Sequence, residues 1–222
     1  MIMAYELTFF VSVFTALFSI VNPVSGVMAF ISMTSNMKEE DKNYVAKRSV
    51  VIACIIAILF TISGNYIMSF FSITIDSLRV AGGILLFLVA MDMLFARTTR
   101  ESITSEELSE AVQRENVSIF PIAMPMLTGP GAITTIILYI TKGVKEFNIS
   151  LETVLLFEIA AILLTFIITY LIFRFSDHFR KVVGMTGMLV MTRLMGLFLG
   201  AMAVGFISDG IWNIYKLKLI MG

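Results

Sequence analysis

Apolar residues run along this chain in stretches long enough to cross a bilayer, separated by short polar clusters. The first stretch covers residues 7–33 and ends at Lys38, Glu39, Glu40, Asp41 and Lys42, followed by Lys47 and Arg48, which reads as a solvated loop. A second, residues 49–71, leads through a short turn into a third, residues 79–95. The most polar region, residues 96–116, comes next and carries Arg97, Arg100, Glu101, Glu106, Glu107, Glu110, Arg114 and Glu115. Three more apolar stretches follow at residues 118–141, 151–173 and 192–214. Segments of about 18 or more apolar residues span the roughly 30 Å hydrocarbon core as helices. The pattern therefore predicts an all-α integral membrane protein with six transmembrane helices. Residues 182–191, apolar with Gly184 and Gly187, read as an interfacial or short re-entrant piece.

Two of these stretches are interrupted near their middles. Asn22-Pro23-Val24-Ser25-Gly26 divides the first, and Thr128-Gly129-Pro130-Gly131 divides the fourth. Proline in a helix removes a backbone donor and clashes with the preceding turn, costing about 3 kcal/mol, and hydrocarbon offers no water to compensate. A continuous helix over residues 7–33 would be about 40 Å long, so its break falls near the bilayer midplane. Helices 1 and 4 are thus expected to be broken at mid-membrane. The plainer alternative is a pair of ordinary proline kinks, which membrane helices tolerate when neighbouring groups satisfy the backbone.

The halves match beyond the prolines. Arg79-x-x-Gly82 in the third stretch has a counterpart in Arg193-x-x-Gly196 in the sixth, and the two spacings agree to within a loop insertion. Three spans per half is odd, so the second copy enters the membrane from the opposite side: two inverted-topology three-helix repeats, an arrangement common in secondary transporters. The organisation is residues 1–95 as the first repeat, 96–117 as a polar cytoplasmic linker and 118–222 as the second repeat, in one membrane domain. With the first loop cytoplasmic, Lys and Arg concentrate inside by about two to one, which puts both termini outside. Residues 1–20 lack a basic leader and carry Glu6, so they read as the first span and not as a cleaved signal.

Composition agrees and narrows the classes. The chain is 58% hydrophobic and 14% charged over 222 residues, with zero formal net charge, which gives no support to nucleic-acid binding. A single cysteine, Cys54, rules out an intramolecular disulfide and a cysteine metal cluster. The 16 methionines and 19 phenylalanines spread evenly and suit helix packing and membrane lipid. No cofactor is implied. No His-Glu-x-x-His or Gly-x-Ser-x-Gly occurs, and no histidine lies in an apolar stretch, so an intramembrane enzyme is disfavoured and no catalytic residue is assigned.

Each break frees carbonyls on one half-helix and N–H groups at the positive end of the next. Opposed across the midplane, the two ends could hold a small zwitterion. The N-termini would take the carboxylate, while freed carbonyls with Asn22, Ser25, Thr128, Thr134 and Thr135 would take the ammonium or a coupling cation. The substrate-binding candidates are Asn22, Pro23, Val24, Ser25, Gly26, Thr128, Gly129, Pro130, Gly131, Thr134 and Thr135. Gly26, Gly129 and Gly131 leave little room, which favours a small solute.

At these residues the chain resembles the MarC family, also called the small neutral amino acid transporter (SnatA) family, within the LysE-like group. The resemblance rests on the first break, on Arg79-Val80-Ala81-Gly82-Gly83, on residues 124–135 from Met124 to Thr135 and on Thr192-Arg193-Leu194-Met195-Gly196, and spans essentially the whole chain. It implies a six-span inner-membrane carrier of glycine, alanine and similar neutral amino acids, coupled to sodium or protons.

The remaining ionisable groups suggest coupling and gating. If the third and sixth spans pack antiparallel, Arg79 meets Asp209 and Arg193 meets Asp92, two pairs on opposite sides of the membrane that could act as gates; alternatively these charges snorkel to the headgroups. Glu158 lies about 10 Å into the fifth span among apolar neighbours, as a proton carrier, a cation ligand or a helix-packing group. With Asn22 and Thr128 it completes the ion-coupling candidates, and no metal is expected beyond a transported sodium ion. Asn65 reads as a helix-packing contact and His178 as a solvated loop residue. A secondary carrier is the leading reading, with a passive small-solute channel, an exporter of another small metabolite, or a structural or sensing role as alternatives.

Overall fold

The computed structural model describes residues 2–35, 37–95 and 117–221, all helices and connections. The elements are α1 (Ile2–Val21), α2 (Pro23–Met33), α3 (Glu39–Phe70), α4 (Ile75–Leu94), α5 (Ser118–Leu127), α6 (Pro130–Lys145), α7 (Leu151–Arg174) and α8 (Ser176–Met221). Apart from Val117, the expected polar linker lies outside the described residues.

Local chemistry sets the boundaries. Between α1 and α2, Asn22 has φ 44°, ψ 65°, and its side-chain carbonyl caps α2 by accepting from the Ser25 N–H at 3.3 Å. Asparagine tolerates this left-handed conformation, and Pro23 at the first helical position needs no N–H. Thr74 caps α4 through the Ser77 N–H at 3.1 Å, and Ser150 caps α7 through that of Thr153. Positive φ at Ser72 and Asn148 turns the chain before these caps.

The charged stretch after residue 38 is not a loop. Glu39, Glu40 and Asp41 form the first turn of α3, where their charge suits the positive end of the helix, and Lys42 Nζ pairs with Glu39 at 3.0 Å. His178 and residues 182–191 are likewise helical, and α8 is two helical pieces that meet at a break at Gly184 (φ 67°, ψ 167°), within residues 182–191.

Five helical segments are long and apolar enough to cross a membrane: residues 5–33, 39–70, 75–94, 151–174 and 176–217. The chain is a multi-pass membrane protein. The fourth stretch, read from the sequence as a broken span, is two short pieces, α5 and α6, in a region where three prolines fall within ten residues: Pro121, Pro125 and Pro130. The residue before a proline is pushed out of the α region, and Phe120 (φ −127°, ψ 128°) and Met124 (φ −139°, ψ 126°) are extended accordingly. The remaining turns are wide, with Thr128 N–H donating to the Ala123 carbonyl five residues back.

Packing repeats in pairs. α3 packs on α5 as α7 packs on α1, and α4 on α6 as α8 on α2; α3 meets α6 as α7 meets α2, and α1 meets α6 as α5 meets α2. The pairs α3–α7 and α4–α8 cross the middle. The core joins Phe9, Val13 and Leu17 of α1 to Val154, Ile162 and Phe173 of α7, with Phe30 and Phe173 stacked at 4.8 Å. Large apolar side chains such as Leu59, Ile62, Leu156, Ile167, Leu197 and Trp212 face outward, which suits hydrocarbon and not water.

Candidate functional site

The two interruptions touch. A side chain on Gly131 would lie 3.0 Å from Ile20 Cδ1, and one on Gly26 would lie 3.7 Å from Leu127 Cδ2. Between them is a small cavity of about 10 Å³, walled by Leu17 and Val21 before the first interruption, Thr128, Ala132 and Ile136 around the second, Ala57 of α3, and Ile162, Thr165 and Phe166 of α7. That volume is about what one water requires.

The first interruption is the more polar. Asn22 Nδ2 donates to Ser25 Oγ at 2.6 Å, Ser25 Oγ lies 2.7 Å from Thr192 Oγ1, and Thr192 donates to the Met188 carbonyl at 2.9 Å. With Thr192's proton committed to Met188, Ser25 donates to Thr192, and the chain of bonds runs one way from α2 to α8. Pro23 has no N–H, so the Ser19 carbonyl lacks its usual donor four residues on. Val24, at the second position of α2, carries an N–H that helix geometry leaves without an intrahelical acceptor, and its side chain is buried.

At the second interruption Thr128 is fully buried and donates to the Ala53 carbonyl of α3 at 2.9 Å, tying the wide-turned α5 to a membrane-crossing helix. Gly129 is extended (φ −86°, ψ −179°) and Pro130 starts α6. Gly131 and Ala132 therefore present first-turn N–H groups next to the cavity. Thr135 turns back to the Gly131 carbonyl at 2.9 Å. Thr134 does not join Ser25: its methyl group fills the space that a side chain on Gly82 would occupy, so it is a close α4–α6 packing contact.

Of the sequence candidates, Asn22 and Ser25 are joined by hydrogen bonds to each other and to Thr192, Thr128 lines the cavity, Gly26 and Gly131 lie at the contacts between the two interruptions, Pro23 and Pro130 begin α2 and α6, and Thr134 and Thr135 lie one turn farther along α6. Thr192 stood in the sequence beside Arg193, but nothing local marked it as a partner of Ser25.

The expected gating pairs are corrected. α4 and α8 do pack antiparallel at the anticipated level, with Gly210 against Arg79 and the Asp76 carbonyl, Gly83 against Ala203 and Ile207, and Gly196 against Ala90 and Met93. Each helical residue turns about 100°, so with Gly210 facing α4 its neighbour Asp209 is rotated off that face; Asp209 and Arg193 are both exposed. Buried Arg79 instead bonds Glu146, just past the end of α6, at 3.1 Å and lies 3.5 Å from Asp76, which also accepts from Asn213 Nδ2 at 3.0 Å. Among the described residues neither Arg79–Asp209 nor Arg193–Asp92 forms an ion pair. Asn65 is exposed.

Glu158 is fully buried in α7, and neither carboxyl oxygen has a hydrogen-bond partner; the hydroxyl of Thr165, on the cavity wall, is also buried and unpartnered. No cluster of three His, Cys, Asp or Glu residues that could hold a metal occurs among the described residues.

A family model described as MarC family integral membrane protein matches residues 7–215. A UPF0056 membrane protein of Aquifex aeolicus is 36% identical over 207 residues, covering 93% of this chain and 94% of the relative. One from Methanocaldococcus jannaschii is 34% identical over 206 residues, covering 93% and 97%, and YvbG of Bacillus subtilis is 31% identical over 209 residues, covering 94% and 96%. No solved structure matches.

Proposed function

The chain belongs to the MarC family, and on that premise we propose that it is a secondary active transporter of small neutral amino acids of the glycine and alanine class. It works by alternating access around a midplane site between the two interruptions, driven by a sodium or proton gradient. In this reading α1–α2 and α5–α6 are the two broken helices, α5 and α6 together make the sixth crossing, and the halves are inverted repeats. The protein sits in the cell membrane with both termini outside, as the distribution of basic residues favours.

One observation carries the proposal: two interrupted segments from opposite halves pack against each other, with residues of both on one small cavity and each followed by a helix that begins with proline and so carries first-turn N–H groups without intrahelical acceptors. Such ends attract a carboxylate, and the Asn22 amide oxygen, the Ser25 and Thr192 hydroxyl oxygens and the carbonyl released by Pro23 suit an ammonium group. The paired packing of the helices supports the inverted repeat, since exchanging α1 with α5, α2 with α6, α3 with α7 and α4 with α8 reproduces most contacts. The cavity is too small for an amino acid, so substrate binding requires the α1–α2 and α5–α6 segments to separate, which a carrier does once per cycle.

The test is uptake of radiolabelled glycine and alanine into proteoliposomes. Saturable uptake that responds to an imposed sodium or proton gradient is expected. Non-saturating flux insensitive to either gradient would indicate a passive channel, and a different saturating metabolite an exporter of that solute. Ser25→Ala and Thr192→Ala should each weaken glycine binding by about 0.5–1.5 kcal/mol, the worth of one hydrogen bond, read as a smaller ligand-induced rise in melting temperature.

A further inference from the structure

We propose that Glu158 is the proton carrier of the transport cycle, taking a proton from water on the α6–α7 side and releasing it on the other side as α7 changes its neighbours. This rests on the carrier reading above and replaces "sodium or proton" with proton.

The geometry begins with what surrounds the carboxyl. Glu158 is about two turns into α7, between Phe157 and Ile159, and wholly inaccessible, with both oxygens lacking any donor. An ionised carboxylate enclosed without a cation or donor carries an uncompensated cost of several kcal/mol, whereas a carboxylic acid leaves one hydroxyl and one carbonyl to accommodate. The enclosed form therefore holds the proton.

The same face of α7 leads to the site. One turn beyond Glu158 is Ile162, and two turns beyond is Thr165; both wall the cavity between the interruptions. Glu158 and Thr165 lie about 10 Å apart along the helix. They are two of the three described residues with buried side-chain polar atoms left without partners, the third being Ser118. Groups without partners in one conformation are available to find them in another.

Sodium fits this environment poorly. A cation in a dry site needs several oxygens to replace its hydration shell. No oxygen donor set surrounds Glu158, and a proton needs a single oxygen. The other groups facing it are few. α7 packs on α1, α2, α3, α6 and α8. From α6, Tyr139 lies within electrostatic reach of Glu158, its hydroxyl directed to Met202 Sδ at 4.0 Å, and farther along Lys142 and Glu146 pair with each other at 3.9 Å. Past Glu6, α1 and α2 contain no titratable residue; the membrane part of α3 has Cys54 and exposed Tyr66, and between Lys181 and Tyr215 α8 has exposed Arg193 and Asp209. No cation is placed to neutralise Glu158. Because a neutral amino acid is a zwitterion, each cycle moves one net positive charge with it.

The experiment uses the full-length protein. Infrared spectra of the purified carrier should show a carboxylic-acid C=O stretch, shielded from deuterium exchange, that Glu158→Gln removes and Glu158→Asp restores or shifts. In proteoliposomes, an acid-outside gradient should drive glycine accumulation by the unmodified protein. Whatever uptake Glu158→Gln retains should be the same with and without the gradient. The proposal is overturned if the infrared band is absent or survives Glu158→Gln, if Glu158→Gln still accumulates glycine with the gradient, or if a sodium gradient at equal pH drives the unmodified protein while a pH gradient does not. Should Glu158→Gln fail to fold, the spectrum and the sodium-against-pH comparison on the unmodified protein still decide. If the unmodified protein carries no amino acid at all, the carrier reading fails, and the infrared band separately decides whether Glu158 holds a proton.

Discussion

Gly184 and Gly205 both sit in α8 with nothing within 4 Å of where a side chain would be, yet they should respond oppositely to alanine. Gly184 has φ 67° and ψ 167°, a region essentially reserved for glycine, so Gly184→Ala should cost about 1–3 kcal/mol although space is free. Gly205 is helical, and Gly205→Ala should be neutral or stabilising by up to about 1 kcal/mol through lower unfolded-chain entropy. Thermal unfolding followed by the fluorescence of Trp212, the single tryptophan, measures both. A lower melting temperature for Gly184→Ala and an equal or higher one for Gly205→Ala is expected. Residues like these show what one sequence reveals: Asn22-Pro23 and Gly129-Pro130 announced themselves, because proline and glycine dictate backbone geometry locally. The partners Thr192 of Ser25 and Glu146 of Arg79 did not, because tertiary contact depends on which way each helix is rotated about its axis. The level of Arg79 against α8 followed from counting residues; the facing residue, Gly210 instead of Asp209, did not.

Among elements, the α4–α8 pair is built on small residues, Gly83 of α4 and Gly196 and Gly210 of α8, while Gly82 packs on α6. Hydrocarbon gives helices no hydrophobic reason to associate, so small residues that let backbones approach carry the contact. A side chain on Gly83 would meet the Ala203 carbonyl at 2.9 Å, and one on Gly196 the Ala90 carbonyl at 3.0 Å. Backbone cannot step aside as a flexible side chain can. Gly83→Ala and Gly196→Ala should each destabilise by about 1–3 kcal/mol, and a second-site change at a side chain should not restore the loss. Unchanged melting temperatures in detergent would show that the two helices separate more easily than their packing indicates. In α5 the proline at the break is not alone: Pro121 and Pro125 push the residues before them, Phe120 and Met124, into extended backbone, so the first half of the fourth stretch is not a regular helix. The charged start of α3, expected as a solvated loop, is helical. Its polarity signalled solvent, and polar sequence in solvent can be helical, especially with acidic residues in the first turn.

At the scale of the molecule, the contacts that break the pairing are the ones expected to move. α6 packs on α7, but the equivalent α2 and α3 do not pack closely; α1 packs on α8, but the equivalent α5 and α4 do not; α7 also meets α8 more than α3 meets α4. The looser side has a cleft of about 180 Å³ between the start of α3, with Glu39, Lys42 and Asn43, and the α7–α8 junction. If the halves exchange conformations during transport, the α6–α7 contact opens as α2–α3 closes, whereas α3–α6, whose counterpart α7–α2 is already packed, persists. Two cross-links separate these cases, both in a Cys54→Ala background. A side chain on Gly143 would lie 2.6 Å from Val154 Cγ2, joining α6 to α7, and one on Gly64 would lie 2.7 Å from Ile137 Cγ1, joining α3 to α6; both are within disulfide reach. Oxidised Gly143→Cys/Val154→Cys should stop glycine uptake and regain it on reduction. Oxidised Gly64→Cys/Ile137→Cys should keep transporting. Equal inhibition of both would argue that the whole bundle must loosen, and equal tolerance would place the moving boundary elsewhere, because the only motion that distinguishes the two bonds is one that separates α6 from α7 while α6 stays on α3.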